Sequence, residues 1–363
     1  MQPFHAKIQS QPVGGRWPLR ALALGLTLAA GPTAATTTVY DAFDAPAYSL
    51  ADYAAKWSNP YGLGEMALGD TRDFSGGNFS IKAPVFQTAY DFSVYDHLKY
   101  MGVSTQTFAV PVGGNLTFSS TISATAYNTQ AGGRLISGSY SASGNPYAAV
   151  ALEGQQAAAV MNMIDFSTGQ LFDWFISGST AFTLIERLPS LVTNPALNPG
   201  DPGYVGIDKM YTQIINEVQI GTGPHEVSIS YSDAGKVSYF LDGALVSQVD
   251  NVGVPLDKQG AVDWSGVYPS YGPGEPLAGK IRSVSIGHGL FSLLDAFPFQ
   301  FPDRPDLAVS IPVSERLFGQ GMDATFDNFT VTAVPEPGSW MLLLGGLVAL
   351  GAKKGLGRRR GAD

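Results

Sequence analysis

The sequence predicts an all-β sandwich with long loops, and three observations carry that prediction. Glycine (43 residues) and proline (24) are abundant, while charged residues make up only 14% of the 363; such a composition supports many turns and few long helices. Eleven short segments rich in β-branched and aromatic residues follow one another, separated by Gly, Pro, Asn or Asp. The chain has no cysteine, so its core must hold by burial alone, for which a body of about 300 residues is ample.

Both ends stand apart from that body. Lys7, Arg16 and Arg20 form a basic region, Ala21 to Ala30 an apolar stretch, and Thr33, Ala34 and Ala35 a small-residue cleavage site. This is the layout of a secretory signal peptide over 1–35. At the other end Val334, Pro335, Glu336 and Pro337 precede an apolar run from Trp340 to Ala352, then Lys353, Lys354, Arg358, Arg359 and Arg360. An apolar run that enters the bilayer and arginines that stay cytoplasmic make a membrane-retention device, a C-terminal membrane helix. The run is shorter than the roughly 20 residues of a spanning helix, a deficit that snorkelling lysines and local thinning offset.

This tail resembles the PEP-CTERM sorting signal of Gram-negative bacteria. The resemblance implies export through the Sec machinery and recognition by an exosortase near Pro335–Pro337. The protein would be anchored in the cytoplasmic membrane before processing, and then placed in the outer envelope or extracellular matrix. The chain thus divides into 1–35, a body over 36–333 and a sorting segment over 334–363. Over 36–334 there are 13 Lys and Arg against 28 Asp and Glu, a net charge of −15. That sign excludes nucleic acid or anionic lipid as the body's partner. Four histidines, His5 among them in the leader, do not supply a zinc site.

The predicted strands run in order: Leu116–Ala126, Tyr147–Leu152, Ala158–Phe166, Leu171–Ser177, Ala181–Leu188, Met210–Ile220, His225–Ser232, Lys236–Leu241, Ala244–Val249, Lys280–His288 and Ala324–Thr332. Two hairpins stand out, at Ser232-Asp233-Ala234-Gly235 and at Leu241-Asp242-Gly243-Ala244. The second carries the Asp-Gly pair that a two-residue turn with positive φ demands. Pro189–Gly206 and Val254–Pro276 read as long surface excursions, and no internal repeat divides the body.

The segments from Glu226 to Val249 resemble the paired strands of concanavalin-A-like jelly rolls. Asp327-Asn328-Phe329-Thr330-Val331 resembles their last strand, which returns beside the first, here Asp41-Ala42-Phe43. More of the body is similar to an uncharacterised bacterial family of this fold, through Asp96-His97-Leu98-Lys99, Ile164-Asp165-Phe166, Glu186-Arg187-Leu188-Pro189 and Gly289 to Pro298. That family implies no activity, and fold alone does not supply one.

Glycoside hydrolases on this architecture set two carboxylates on alternate residues of one strand. That pattern is absent: the nearest acids are Glu217 and the pair Asp165 and Asp173. If Phe166 and Gln170 close one turn and Ser177 and Ala181 the next, alternation places Asp165, Leu171 and Arg187 on one face, with Asp173 diagonal to Arg187. Glu186 then lies on the opposite face with Asn162, Ile164, Phe172 and Trp174. There it is a candidate general acid or sugar-hydroxyl acceptor, the alternative being a carboxylate satisfied by the scaffold. Arg187 between two aspartates reads first as an ion-pair ladder.

Aromatic platforms for a pyranose are Trp57, Trp174, Trp264, Tyr268 and Tyr271, the last three beside Asp263 and Glu275 in a Pro/Gly-rich loop. No cofactor is implied; jelly-roll loops of Asp, Asn and carbonyls bind calcium, but no Asp-x-Asp-x-Asp-Gly spacing supports it here. The expected function is an exported carbohydrate-binding or structural protein of the envelope or exopolysaccharide matrix. One alternative is a polysaccharide hydrolase or lyase with an atypical carboxylate site, and a second is a purely structural or adhesive matrix protein.

Overall fold

The computed structural model describes residues 34–44, 47–58, 71–82, 98–260, 265–268, 270, 272–292, 306, 309–315 and 319–335. Contacts divide the chain at Gly31, and the description concerns the second unit, Pro32–Asp363. Most of the leader, and the tail from Glu336 through Arg360, lie outside the described residues. So do Trp264, Tyr271, Asp263, Asp96, His97 and 293–298. Among the described residues no helix is long and apolar enough to cross a membrane.

The strands are β1 (Thr36–Asp41), β2 (Trp57–Ser58), β3 (Thr71–Asp73), β4 (Phe79–Lys82), β5 (Leu98–Ser104), β6 (Phe108–Ala109), β7 (Asn115–Tyr127), β8 (Arg134–Tyr140), β9 (Pro146–Ala151) and β10 (Ala158–Asp165). They continue with β11 (Gln170–Ile176), β12 (Thr180–Arg187), β13 (Tyr211–Gln219), β14 (His225–Ser232), β15 (Lys236–Leu241), β16 (Ala244–Val249), β17 (Ser265–Tyr268), β18 (Ser283–Phe291), β19 (Val309–Ser310) and β20 (Gly321–Val334). All eleven segments expected from the sequence are strands. A seven-residue helix, Leu50–Lys56, opens on a capping box in which the Asp52 amide donates to Ser49 Oγ and the Ser49 amide to Asp52 Oδ2.

The strands form three antiparallel sheets, the smallest of order β19-β8-β9. An eight-stranded sheet has the order β16-β15-β14-β7-β20-β4-β3, with β1 also on β20. A nine-stranded sheet has the order β17-β13-β12-β11-β10-β18-β5-β2, with β6 on β18. The last strand returns beside the first, Asp41 pairing with Phe329 and Thr36 with Ala333. At the β15–β16 hairpin Asp242 and Gly243 have φ of 50° and 78°, the two positive angles that the Asp-Gly pair predicts. The 254–276 excursion is not loop throughout: it carries a short helix, Leu256–Gln259, and the edge strand β17.

The main core lies between the two larger sheets. Phe118, Ile122, Ile229, Tyr231, Tyr239 and Phe326 from one meet Met161, Met163, Phe172, Trp174, Ile185 and Ile286 from the other, all buried. Hydrogen bonds also cross between the sheets: Trp174 Nε1–H donates to the Ser228 carbonyl at 3.0 Å, and Tyr239 O–H to the Leu184 carbonyl at 2.8 Å. The nine-stranded sheet is buried on its outer face too. There Val160, Phe175, Phe182, Leu184 and Ile214 form one apolar cluster, and Met101, Val103, Ile164 and Leu171 another. Hence β10 and β11 read as continuous buried runs, not as alternating ones.

Candidate functional site

Register decides which acids meet. Asp165 pairs with Gln170 and Ile176 with Ala181, so both turns close one residue earlier than the sequence suggests. The Asp165 carboxylate sets the first: it accepts from the Ser167 amide, Ser167 Oγ and Thr168 Oγ1 at 2.7–2.9 Å, and Gly169 takes φ +73°. An aspartate that satisfies its own turn starts the turn. The shift moves Leu171 and Asp173 to the outer face, and it separates Glu186 from Phe172 and Trp174, which are inner.

On the outer face Glu186 (β12) stands opposite Leu171 and Thr212, and Asp173 (β11) opposite Leu184 and Asn162. The two acids are therefore diagonal neighbours on adjacent strands. Thr212 Oγ1 donates to Glu186 Oε2 at 3.0 Å. Asp173 Oδ2 and Asn162 Oδ1 are buried without a hydrogen-bond partner. Asn162 faces Gly287 on β18, where a Cβ would come within 2.2 Å of Asn162 Oδ1. Gly287 thus gives the amide its place. Glu217, opposite Phe182, is a third acid on this face.

Burial pushes the Glu186 carboxyl up to about 7, with the Thr212 bond opposing. Burial also drives Asp173 well above the usual carboxylate range, and the Glu186 charge adds to it. Two adjacent carboxyls in a poorly solvated place cannot both ionise freely. Glu186, which keeps partial solvent contact, ionises first; Asp173, 3% exposed, holds its proton. The pair can accept a sugar hydroxyl at Glu186, or move a proton between a reacting group and Asp173.

The other candidates are distributed differently. Arg187 is not held between aspartates: it is buried on the inner face, its Nε–H donating to the Thr168 carbonyl and its Nη2 to Glu275 Oε1 at 2.7 Å. Lys209 and Lys280 reach the same Glu275, whose carboxyl Arg187 holds low against its partial burial. Asp165 is occupied by its turn. Trp174 and Trp57 are core residues, so neither is a platform. Among the described residues no group of three or more His, Asp or Glu could hold a metal ion. Of the seven ligand candidates, the face brings together Glu186 and Asn162; it adds Asp173, Thr212 and Gly287. Thr212 and Gly287 carry no sequence signal, because their roles exist only through cross-strand partners.

A second polar cluster occupies the inner face. His288 on β18 is buried among the rings of Trp57, Phe329, Phe326, Phe79, Tyr100 and Tyr53 at 4.4–5.8 Å. Its Nε2 meets Tyr53 Oη at 2.7 Å, Tyr53 bonds Tyr100, and Nδ1 has no partner. Burial holds this imidazole down to about 3.

The chain belongs to a family of unknown function (DUF6081), whose model matches residues 67–335. No curated protein matches it. Among solved structures, β-agarase B from Zobellia galactanivorans is similar at 11% identity, over 84% of this chain and 95% of that one, with a TM-score of 0.39. Porphyranase B from the same organism is similar at 8% over 82% and 92%, with a TM-score of 0.36. The potassium-bound carbohydrate recognition domain of Emp46p is similar at 7% over 83% and 99%, with a TM-score of 0.35. No site residue is carried over from any of them.

Proposed function

We propose that this family member is an exported polysaccharide-binding protein, sorted through its PEP-CTERM-like tail to the envelope or extracellular matrix. The supporting observation is the polar island of Glu186, Thr212, Asp173 and Asn162 set among apolar Ile164, Leu171, Leu184 and Ile214, with two buried side-chain oxygens unpartnered. Unpaired buried acceptors cost about 1–3 kcal/mol each, and a ligand that donates hydroxyls offsets that cost. A second reading, hydrolysis of polysaccharide, is favoured by the same pair of acids. It ranks behind binding because Asp173 is only 3% exposed and a catalytic pair needs both carboxyls within reach of the scissile bond, whereas binding needs ligand contact first at Glu186, which is partly exposed.

The test is a polysaccharide pull-down beside a reducing-sugar assay on the exported protein. Asn162→Leu and Glu186→Gln should each lower retention at least fivefold with the melting curve still cooperative. In the same cells, alanine at Pro335, Glu336 and Pro337 should leave the tail unprocessed by intact mass while export continues. Retention unaffected by both face variants would remove the binding reading, and reducing ends that appear only with intact Glu186 would promote the hydrolytic one.

A further inference from the structure

The outer face also carries information about the charge of its ligand. Three acids stand on it, Asp173, Glu186 and Glu217. Among the described residues of β10 to β13 and of β18, the only Lys or Arg is Arg187. That guanidinium points to the inner face, where it is committed to Glu275 and the Thr168 carbonyl. Thus no cation from these strands balances the acids, and the unpartnered polar atoms at the island's centre are oxygens, Asp173 Oδ2 and Asn162 Oδ1, beside the Glu186 carboxylate. Thr212 Oγ1 is already spent as a donor to Glu186. The body around them carries a net charge of −15 over 36–334, which adds a repulsive field of the same sign.

We infer that the outer-face site selects uncharged glycans that present hydroxyl donors, and rejects uronate and sulfated chains. This rests on the binding reading above and adds the ligand's chemical class to it. A hydroxyl can donate to the Glu186 carboxylate and to Asn162 Oδ1. A carboxylate or sulfate offers only further acceptors and brings its charge toward Glu186. Specificity of this kind comes from the repulsive element as much as from the attractive one.

The experiment compares matched probes: a soluble β-glucan, a galactan and a mannan, each before and after oxidation of its primary hydroxyls to carboxylates. Retention of at least one neutral polymer, with at least tenfold weaker retention of its oxidised form at low salt, is the expected result. Added salt should narrow that ratio, because charge repulsion is screened. Glu186→Gln should reduce the discrimination to about threefold or less, whereas Glu226→Gln, on the other sheet, should leave it unchanged. Equal or stronger retention of an oxidised form would overturn the selectivity and leave polysaccharide binding standing. Retention of none of the six polymers would remove both.

Discussion

Two titratable sites lie back to back on the nine-stranded sheet, and the sheet treats them oppositely. On the inner face His288 is enclosed by six aromatic rings and donates or accepts only toward Tyr53. On the outer face Asp173 and Glu186 sit one strand apart, and Glu186 retains contact with solvent. Both places are poorly solvated, so both groups are pushed toward neutrality, which for an imidazole means a lowered pKa and for a carboxyl a raised one. The enclosed group meets only Tyr53 among buried rings. The carboxyl pair keeps a proton at Asp173 beside a Glu186 that solvent reaches.

The largest effect should come from breaking the enclosure. A Cβ at Gly102 would stand 2.4 Å from Tyr53 Oη and 2.7 Å from His288 Cε1, with no space to relax among packed rings. Gly102→Val should therefore destabilise the fold by about 3 kcal/mol, measured as a fall in denaturant midpoint at constant slope. A midpoint within error of the parent would mean the cage yields easily and that the contrast between the faces is overstated.

The second test uses pH, because the two sites contribute with opposite sign. His288 is held at about 3 while its unfolded counterpart titrates near 6.5. Its contribution to stability is complete above that unfolded value and is lost as pH falls toward 3. Glu186, raised to about 7, contributes fully below the unfolded carboxylate range and loses that contribution as pH rises through 7. Glu186→Gln should thus gain roughly 2 kcal/mol on the parent at pH 8 relative to pH 4. His288→Phe should flatten only the acid limb. Denaturation at pH 4, 6 and 8 checks both, and a Glu186→Gln difference that does not change with pH would place that carboxylate in ordinary solvent.

The smallest effect separates stability from binding. Gly287→Ala on the outer face would also introduce a close contact with Asn162 Oδ1, but against the end of one side chain, with the Gly102 carbonyl at 3.1 Å the next atom met. It should cost about 1 kcal/mol and lower polysaccharide retention, by displacing the amide. A loss equal to that of Gly102→Val would show that Asn162 is as tightly caged as His288.

These contrasts also mark where the sequence was legible. The eleven strands and the Asp242-Gly243 turn were readable because hydrophobic runs and turn chemistry are local. So was the return of Asp327–Val331 to Asp41, through its resemblance to a known closing strand. The site was not, because a one-residue slip in register exchanges the faces of a whole strand. Taking Phe166 instead of Asp165 to close the first turn set Asn162 beside Trp174, and taking Ser177 instead of Ile176 to close the second set Asp173 near Arg187 and Glu186 beside Phe172. The signal that corrects the first is present in Asp165-Phe166-Ser167-Thr168-Gly169: an Asp that caps two following hydroxyl residues before a left-handed Gly. His288 and its rings escaped notice for a different reason, since they come from five separate strands, the Leu50–Lys56 helix and the β20 bulge at Asp327–Asn328.

The pairing of β20 has a mechanical meaning. Its final residues are bonded on one side to β7, up to Val334 with Asn115, and on the other to β1, up to Ala333 with Thr36. A pull entering at Val334 along the strand axis therefore loads both ladders in shear, so many hydrogen bonds must fail together. A strand attached by one edge at the end of a sheet would instead open one pair at a time, like a zipper. With its last strand gripped on both sides, the body resists a pull applied through the end of β20.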